Sequence, residues 1–176
     1  ISVTISDSVI SIGDNAFSEC DSITSIIIPN SVTSIGEQTF YYCKNLTDVI
    51  IGNGVTSIGY QAFDYCDAIT DVYISDLIAW CNIDFASRSS NPVDNIATLY
   101  LNGTTVTELV IPDEIENIKA NAFCGCSSIT SVFIPHTVTS IAKDAFFNCN
   151  NLKEIYCTSA YPPSGTSSMF TDNASD

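Results

Sequence analysis

Positive charge is scarce in this sequence. Its 176 residues include five Lys and Arg against twenty Asp and Glu, which gives a formal net charge of −15. Proteins that bind DNA or RNA gain much of their affinity from basic residues that neutralise phosphates, and such residues also attract proteins to anionic lipid. The composition therefore argues against nucleic acid or an anionic membrane surface as a partner. We interpret the acidic excess as a solvated surface that keeps the chain soluble.

Long apolar segments are also missing. No run of about 18 apolar residues occurs, so neither a membrane-spanning helix nor direct membrane insertion of this segment is predicted. The N-terminal stretch ISVTISDSV lacks the basic start and the apolar centre of a secretion signal. We expect that any such signal has already been removed from this sequence.

Patterns typical of catalysis are absent as well. The sequence contains no G-x-S-x-G, H-E-x-x-H or P-loop motif. The one histidine, His136, is not grouped with other ligands by any sequence feature, and Cys124-x-Cys126 has no matching second pair. No catalytic residue, metal site or cofactor is predicted, and the chain is not expected to be an enzyme.

The sequence does contain an internal repeat of 23 residues. The block ITSIIIP at 23–29 returns as LTDVIIG at 46–52, ITDVYIS at 69–75, ITSVFIP at 129–135 and LKEIYCT at 152–158. Each such block follows a Phe-x-x-Cys pair, whose cysteines are Cys20, Cys43, Cys66, Cys126 and Cys149. A single interruption separates Val72 from its next counterpart, Leu109.

This period predicts a fold. Twenty-three residues fall in the window of roughly 20–29 residues that is typical of leucine-rich repeats. In the second copy Val49 and Ile51 are predicted to point inward from a short strand, and Asp48 and Ile50 to point outward. We therefore predict an α/β-type, β-rich leucine-rich-repeat solenoid, with short parallel strands on the concave face and short helical turns and short strands on the convex side.

The interruption is predicted to be one enlarged irregular repeat, 76–108, within a single domain that covers 1–176. Regular repeats precede it at 3–75 and follow it at 109–158, and 159–176 is a partial repeat. Asp76 is predicted to cap a short helix that carries Leu77, Trp80 and Cys81 on one face, and Asn102-Gly103 predicts a tight hairpin. The enlarged repeat is either a functional site or a tolerated insertion, and the sequence leaves both open.

The repeated cysteines are predicted to pack in the core. Stacked coils would align them in a column with a spacing of roughly 4.8 Å. Thiols pack as small apolar groups, and pairing neighbours in a column of five would leave one unpaired. We favour a packing ladder, with isolated disulfides and a metal site as the alternatives. Val32, Ile35, Phe40 and Cys43 are thus predicted to be four inward contacts of one coil.

The outward positions of the concave strands are the candidate binding site. In the 23-residue register the middle column is Ser25, Asp48, Asp71, Glu108, Ser131 and Glu154. A mostly threonine column lies on one side of it and an apolar column on the other. An apolar stripe beside charge is typical of interaction sites, although an ordinary solvated sheet would show the same pattern. The candidate binding residues are Thr47, Asp48, Ile50, Thr70, Asp71, Tyr73, Glu108, Val110, Phe133, Glu154 and Tyr156.

The repeats closely resemble one family. The stretch IPNSVTSIGEQTFYYCKNLTDVII is similar to the BspA-type leucine-rich repeat of surface proteins from gut and oral bacteria and some mucosal protists. WCNIDF, SNP, LYLNG and LVIP resemble an enlarged unit that recurs in that family. IYCTSAYPPSGTSSMF resembles its closing segment, which a further strand normally follows, so we expect the chain to continue in the full protein.

The resemblance implies a function. It indicates a non-enzymatic recognition or adhesion module of a cell-surface or secreted protein. We expect a protein partner on the concave face, such as a host extracellular-matrix or cell-surface protein. The alternative is a structural spacer array that holds another domain of a larger surface protein away from the cell. Neither the ligand nor the oligomeric state follows from the sequence.

Overall fold

The computed structural model describes residues 2–94, 96–165 and 170, which wind into the predicted solenoid of short parallel strands. The predicted partial repeat at 159–176 falls partly on 166–169 and 171–176, which lie outside the described residues. In chain order the strands are β1 (Ser2–Thr4), β2 (Ser11–Ile12), β3 (Ser25–Ile28), β4 (Ser34–Ile35), β5 (Asp48–Ile51), β6 (Ser57–Ile58), β7 (Asp71–Ile74), β8 (Asp84–Phe85), β9 (Thr98–Leu101), β10 (Thr104–Thr105), β11 (Glu108–Val110), β12 (Asn117–Ile118), β13 (Ser131–Ile134), β14 (Ser140–Ile141), β15 (Glu154–Cys157) and β16 (Ser164–Gly165).

The concave wall consists of two sheets. The first has the order β1-β3-β5-β7-β9-β10 and the second has the order β11-β13-β15. Strand neighbours run parallel, except that β10 runs antiparallel to β9. The register pairs Ser25 with Asp48 and Asp48 with Asp71, as the repeat predicts. Asp71 then pairs with Thr98 of β9, a strand that belongs to the interruption.

The convex wall is divided in the same part of the chain. Its strands form one sheet with the order β2-β4-β6-β8 and another with the order β12-β14-β16. Most of these two-residue strands are Ser-Ile pairs, so Ser11 lies beside Ser34 and Ile12 beside Ile35. Within the described residues β8 and β12 do not pair. Both walls therefore consist of an N-terminal and a C-terminal array of coils.

The turns predicted on the convex side are present, and they are not α-helical. In the second coil Gln38 has φ 51° and Tyr42 has φ 62°, which places both in the left-handed region. The Gln38 amide donates to the Tyr60 carbonyl at 3.0 Å, and the Tyr42 amide donates to the Asp64 carbonyl at 2.9 Å. These turns are therefore held by hydrogen bonds between coils, which an isolated short helix could not supply.

One continuous apolar core lies between the two walls. The four predicted inward contacts of the second coil, Val32, Ile35, Phe40 and Cys43, are each at most 2% exposed. Burying an apolar side chain of this size contributes about 1.5–3 kcal/mol. Because each coil covers the apolar face of its neighbour, stacking makes this contribution continuous along the solenoid.

The cysteine column packs in that core as the sequence predicts. Cys43 Sγ donates to the Phe17 carbonyl at 3.1 Å, and Cys66 Sγ donates to the Phe40 carbonyl at 2.9 Å. The phenylalanines themselves stack, with ring centroids of Phe17 and Phe40 5.4 Å apart. All eight cysteines lie in the described residues, and none is in a disulfide. Cys43 and Cys66 thus lie beside an aromatic column of the core.

The interruption begins with the predicted helix, α1 (Leu77–Cys81). Asp76 is its N-cap, and Asp76 Oδ1 accepts from the amides of Ile78 at 2.8 Å and Ala79 at 3.1 Å. Trp80 and Cys81 are buried, which confirms the predicted apolar face. No helix in the described ranges is long and apolar enough to cross a membrane.

A hairpin completes the interruption. After a one-turn 3-10 helix, Arg88–Ser90, the chain enters β9 and turns back into β10 at Asn102-Gly103. Asn102 has φ 51° and Gly103 has φ 76°. Two left-handed residues at this position are typical of the tight hairpin that the sequence predicts. The hairpin occupies the edge of the first concave sheet, so β11 starts a new sheet instead of extending the first.

Candidate functional site

The middle column of the first concave sheet carries two neighbouring carboxylates. Ser25, Asp48, Asp71 and Thr98 pair in this order across β3, β5, β7 and β9. All four side chains are partly exposed. Adjacent strands lie about 4.8 Å apart, so the like charges of Asp48 and Asp71 repel one another.

Threonines of the neighbouring column hold these carboxylates. Thr47 Oγ1 donates to Asp48 Oδ2 at 2.5 Å, and Thr70 Oγ1 donates to Asp71 Oδ2 at 2.6 Å. Hydroxyl donors orient a carboxylate, but they do not cancel its charge. The column therefore presents net negative charge to any molecule on the concave face.

No basic side chain of the described residues compensates that charge. The ion pairs in those ranges join Lys119 to Asp84 and Lys143 to Asp144, both away from this column. Only one basic residue, Lys44, precedes Arg88 in the sequence, and Lys44 lies over the Tyr42 ring at 4.4 Å. Electrostatically, the first concave sheet is suited to a cationic ligand.

An apolar column runs beside the acidic one. Ile27, Ile50, Tyr73 and Tyr100 are neighbours in the strand register. Ile27 is 57% exposed, and the other three are partly exposed. The rings of Tyr73 and Tyr100 stack with centroids 4.7 Å apart. This column offers an apolar contact surface with phenol groups at one end.

The pKa values of both phenols lie above the ordinary value for tyrosine. Burial raises the pKa of Tyr73, and the nearby carboxylates of Asp71 and Asp48 raise it further. A hydrogen bond to Asp71 is the main cause that raises the pKa of Tyr100, with burial adding to it. Both hydroxyls are therefore neutral donors at pH 7.

The second concave sheet has a different surface. Its middle column is Glu108, Ser131 and Glu154, and its apolar column is Val110, Phe133 and Tyr156. Phe133 and Tyr156 stack with centroids 4.6 Å apart, and the Tyr156 hydroxyl donates to Glu154 Oε2 at 2.9 Å. Because the buried Ser131 separates its acids, this sheet has no pair of adjacent carboxylates.

The structure places the predicted binding residues in two groups. Thr47, Asp48, Ile50, Thr70, Asp71 and Tyr73 lie on the first sheet, and Glu108, Val110, Phe133, Glu154 and Tyr156 lie on the second. Asp71 and Glu108 are separated by β9 and β10. Thr98 and Tyr100, which extend the columns of the first sheet, were not predicted. Their signal is the match of TLYL at 98–101 to DVYI at 71–74.

A groove of about 750 Å³ lies at the carboxyl ends of the first concave strands. Ile27, Ile50 and Tyr73 of the apolar column contribute to its lining. Turn residues that follow the strands, including Pro29 and Gly52, form its other side. The apolar column is therefore continuous with a concave space large enough to receive side chains of a partner.

The described residues offer no other reactive arrangement. No group of three or more His, Cys, Asp and Glu in those ranges could hold a metal ion. Cys124 Sγ donates to Asp94 Oδ1 at 2.8 Å, and burial with the Asp94 charge raises the pKa of this thiol. A thiol that stays protonated is a poor nucleophile and a poor metal ligand. His136 is exposed on a turn.

The sequence matches a known repeat family. The pattern of the BspA type leucine rich repeat region fits the chain in six copies, over residues 1–88 and 94–174. No curated protein matches the chain in sequence.

Solved bacterial structures share the fold. A leucine rich repeat protein from T. pallidum is 22% identical with a TM-score of 0.61, over all of this chain and 78% of that one. One from Bacteroides ovatus is 20% identical with a TM-score of 0.52, over 88% of this chain and 44% of that one. A leucine rich cell surface protein from Faecalibacterium prausnitzii is 24% identical with a TM-score of 0.42, over 90% of this chain and 32% of that one. For the T. pallidum and Bacteroides ovatus proteins the likeness concerns the fold.

Proposed function

The chain belongs to the BspA-type leucine-rich-repeat family, and from this premise we propose that it is a non-enzymatic recognition module of a cell-surface or secreted protein. Its concave face binds a partner protein, such as a host extracellular-matrix or cell-surface protein. Leucine-rich repeats generally bind proteins, and the extended concave surface of a solenoid suits that role.

One observation carries this proposal. The first concave sheet places two adjacent carboxylates, Asp48 and Asp71, beside an apolar column that includes Ile50 and Tyr73. Exposed apolar side chains next to charge are a mark of protein interaction sites. Tyrosine is also enriched among residues that dominate binding energy at such sites. The neighbouring groove of about 750 Å³ adds concave shape to this chemistry.

The proposal is tested with the double variant Asp71→Asn/Tyr73→Ser. Binding of the whole 176-residue chain to immobilised extracellular-matrix and cell-surface proteins is measured by surface plasmon resonance. Loss of a central tyrosine and a charge is expected to weaken binding by at least about tenfold, which is the effect of roughly 1.4 kcal/mol. Circular dichroism verifies that the variant is folded.

A matched control makes the same chemical change on the convex side. Glu37→Gln/Tyr60→Ser removes one exposed acid and one tyrosine that is 52% exposed. We expect this variant to bind like the original chain. Unchanged binding of a folded Asp71→Asn/Tyr73→Ser chain would reject the concave face as the site. If the original chain binds no member of the panel, the spacer role gains support instead.

A further inference from the structure

Building on the proposed concave-face recognition, we propose that the segment bound by the first concave sheet is a basic amphipathic α-helix. The helix lies along the solenoid axis, across the strands. Its basic stripe faces the acidic column, which is centred on Asp48 and Asp71, and its apolar stripe faces Ile50, Tyr73 and Tyr100.

The spacing of the columns selects a helix. Each column crosses the strands, so successive members are about 4.8 Å apart. Successive turns of an α-helix are about 5.4 Å apart, and its side chains at i, i+3 and i+4 lie on one face. Same-side residues of an extended strand are about 6.6 Å apart, and a polyproline II turn covers about 9 Å. A helix therefore keeps its side chains opposite the columns over more coils than the other two conformations.

The charge of the columns selects basic residues. The neighbouring Asp48 and Asp71 carboxylates receive bonds from threonine hydroxyls, and the ion pairs of the described residues lie elsewhere. An Arg or Lys of the partner at each turn would remove the repulsion between the two carboxylates. Arg could also bind a carboxylate through two parallel hydrogen bonds.

The two columns fit the two stripes of an amphipathic helix. Asp71 and Tyr73 project from the same side of β7 and are two residues apart. An amphipathic helix carries an apolar stripe along its axis and polar or charged residues beside that stripe. One helix can therefore present basic side chains to one column and apolar side chains to the other.

The second concave sheet lacks this arrangement. Ser131 stands between its two acids, so no two carboxylates are neighbours in its middle column. Lys153 lies next to Glu154 in the sequence. A basic stripe would therefore find no continuous acidic column there, which assigns the helix to the first sheet.

The experiment uses three synthetic peptides of about 18 residues, long enough as helices to cross the four coils concerned. They share one composition of Lys, Arg, Leu and Ala. One has adjacent basic and apolar stripes at helical spacing, one alternates basic and apolar residues, and one is scrambled. Affinity for the whole 176-residue chain is measured by fluorescence anisotropy. Helix formation is followed by the circular dichroism of the mixture minus that of its components.

The striped peptide is expected to bind at least about tenfold more tightly than either of the others and to gain helix on binding. Asp48→Asn/Asp71→Asn should remove most of that difference. The control Glu19→Gln/Glu37→Gln changes the net charge of −15 by the same amount on the convex side, and it should retain the difference.

Several results would overturn the inference. Equal affinity for the three peptides would do so, and so would equal losses in both double variants, because either result shows attraction to net charge alone. No binding of the striped peptide would also overturn it. A preference for the alternating peptide would overturn the helix but leave concave recognition intact. Binding to the immobilised extracellular-matrix and cell-surface proteins distinguishes the two proposals. If the concave face is the site, Asp71→Asn/Tyr73→Ser weakens that binding whatever the conformation of the bound segment.

Discussion

The regular coils and the interruption hold the solenoid together in different ways. In the regular coils backbone groups bond to the equivalent positions of the next coil, and the same contacts recur along each array. The Thr56 amide, for example, donates to the Thr33 carbonyl at 2.9 Å, and the Thr33 amide donates to the Ile10 carbonyl at 2.8 Å. Between the two arrays the convex ladder stops at β8 and resumes at β12.

Side chains bridge that gap. Trp80 Nε1 donates to the Ala122 carbonyl at 2.9 Å. Asn91 Nδ2 donates to the Asn121 carbonyl at 2.7 Å, and Lys119 Nζ donates to the Asn82 carbonyl at 2.9 Å. The regular coils thus repeat the same backbone bonds many times, and the junction between the arrays relies on a few individual side chains. Removing one of these bridging side chains should therefore have a larger effect than removing a hydrogen-bonding side chain of a regular coil.

The largest effect is expected for Trp80→Ala. This change removes the buried indole and its bond to Ala122, and it should lower the free energy of unfolding by about 3–5 kcal/mol. Trp80→Phe retains most of the apolar volume and should cost clearly less. Urea unfolding followed by far-UV circular dichroism measures both. Equal stability of the Ala variant and the original chain would contradict a junction that depends on this side chain.

A smaller effect is expected for Asn91→Ala. Asn91 is 1% exposed. Its loss would leave the Asn121 carbonyl and the Val93 amide without their hydrogen bonds to this side chain. We expect a cost of about 1–3 kcal/mol in the same unfolding assay. Asn45→Ala is the matched change in a regular coil, because exposed Asn45 donates to the Asp21 carbonyl at 2.8 Å. It should cost less than about 0.5 kcal/mol, and an equal cost at both sites would remove the distinction.

The last comparison lies within the regular coils, at the glycine position that starts the convex turns. A methyl group at Gly36 would lie 2.5 Å from the Asp14 backbone nitrogen, whereas one at Gly13 meets nothing within 4 Å. Gly36→Ala should therefore cost about 1–3 kcal/mol, and Gly13→Ala should be neutral or stabilise by up to about 1 kcal/mol. Differential scanning calorimetry of the two variants checks this. The same cost for both would mean that coil spacing does not limit this position.

The spacing between coils at this glycine position could not be predicted from the sequence. Its counterparts Lys119 and Ala142 indicate that the position needs no left-handed backbone, and neither Gly36 nor Gly59 has a positive φ. Gly36 and Gly59 both approach the backbone of the preceding coil closely, whereas Ala142 carries a methyl group at the same repeat position. How closely neighbouring coils approach at this position is therefore a property of the assembled solenoid.

The repeat predicts the register and the buried positions well, because each inward residue faces its own counterpart 23 residues away. The neighbourhood of Asp48 and Asp71 followed directly. The pairing of Asp71 with Thr98 was not predicted, because α1 and the 3-10 helix lengthen the segment between these two residues. The sequence consequently placed Glu108 next to Asp71 in the middle column, whereas β9 and β10 lie between the two residues in the structure.

The turns were the other feature that sequence patterns could not specify. Left-handed backbone favours Asn and Gly, and Asn148 and Gly125 fit that preference. Tyr42 and Tyr65 hold the same position with φ 62° and 57°, against their own preference. Bonds between coils, formed only after stacking, overcome that preference.

The thiol–carbonyl contacts of the cysteine column have a consequence for where this chain can fold. A disulfide scaffold requires an oxidising compartment and loses its stability in the presence of reductant. Here Cys43 and Cys66 contribute as protonated thiols bonded to the carbonyls of Phe17 and Phe40. The folded state of the described coils therefore needs no oxidant, and a reductant breaks no bond that stabilises it.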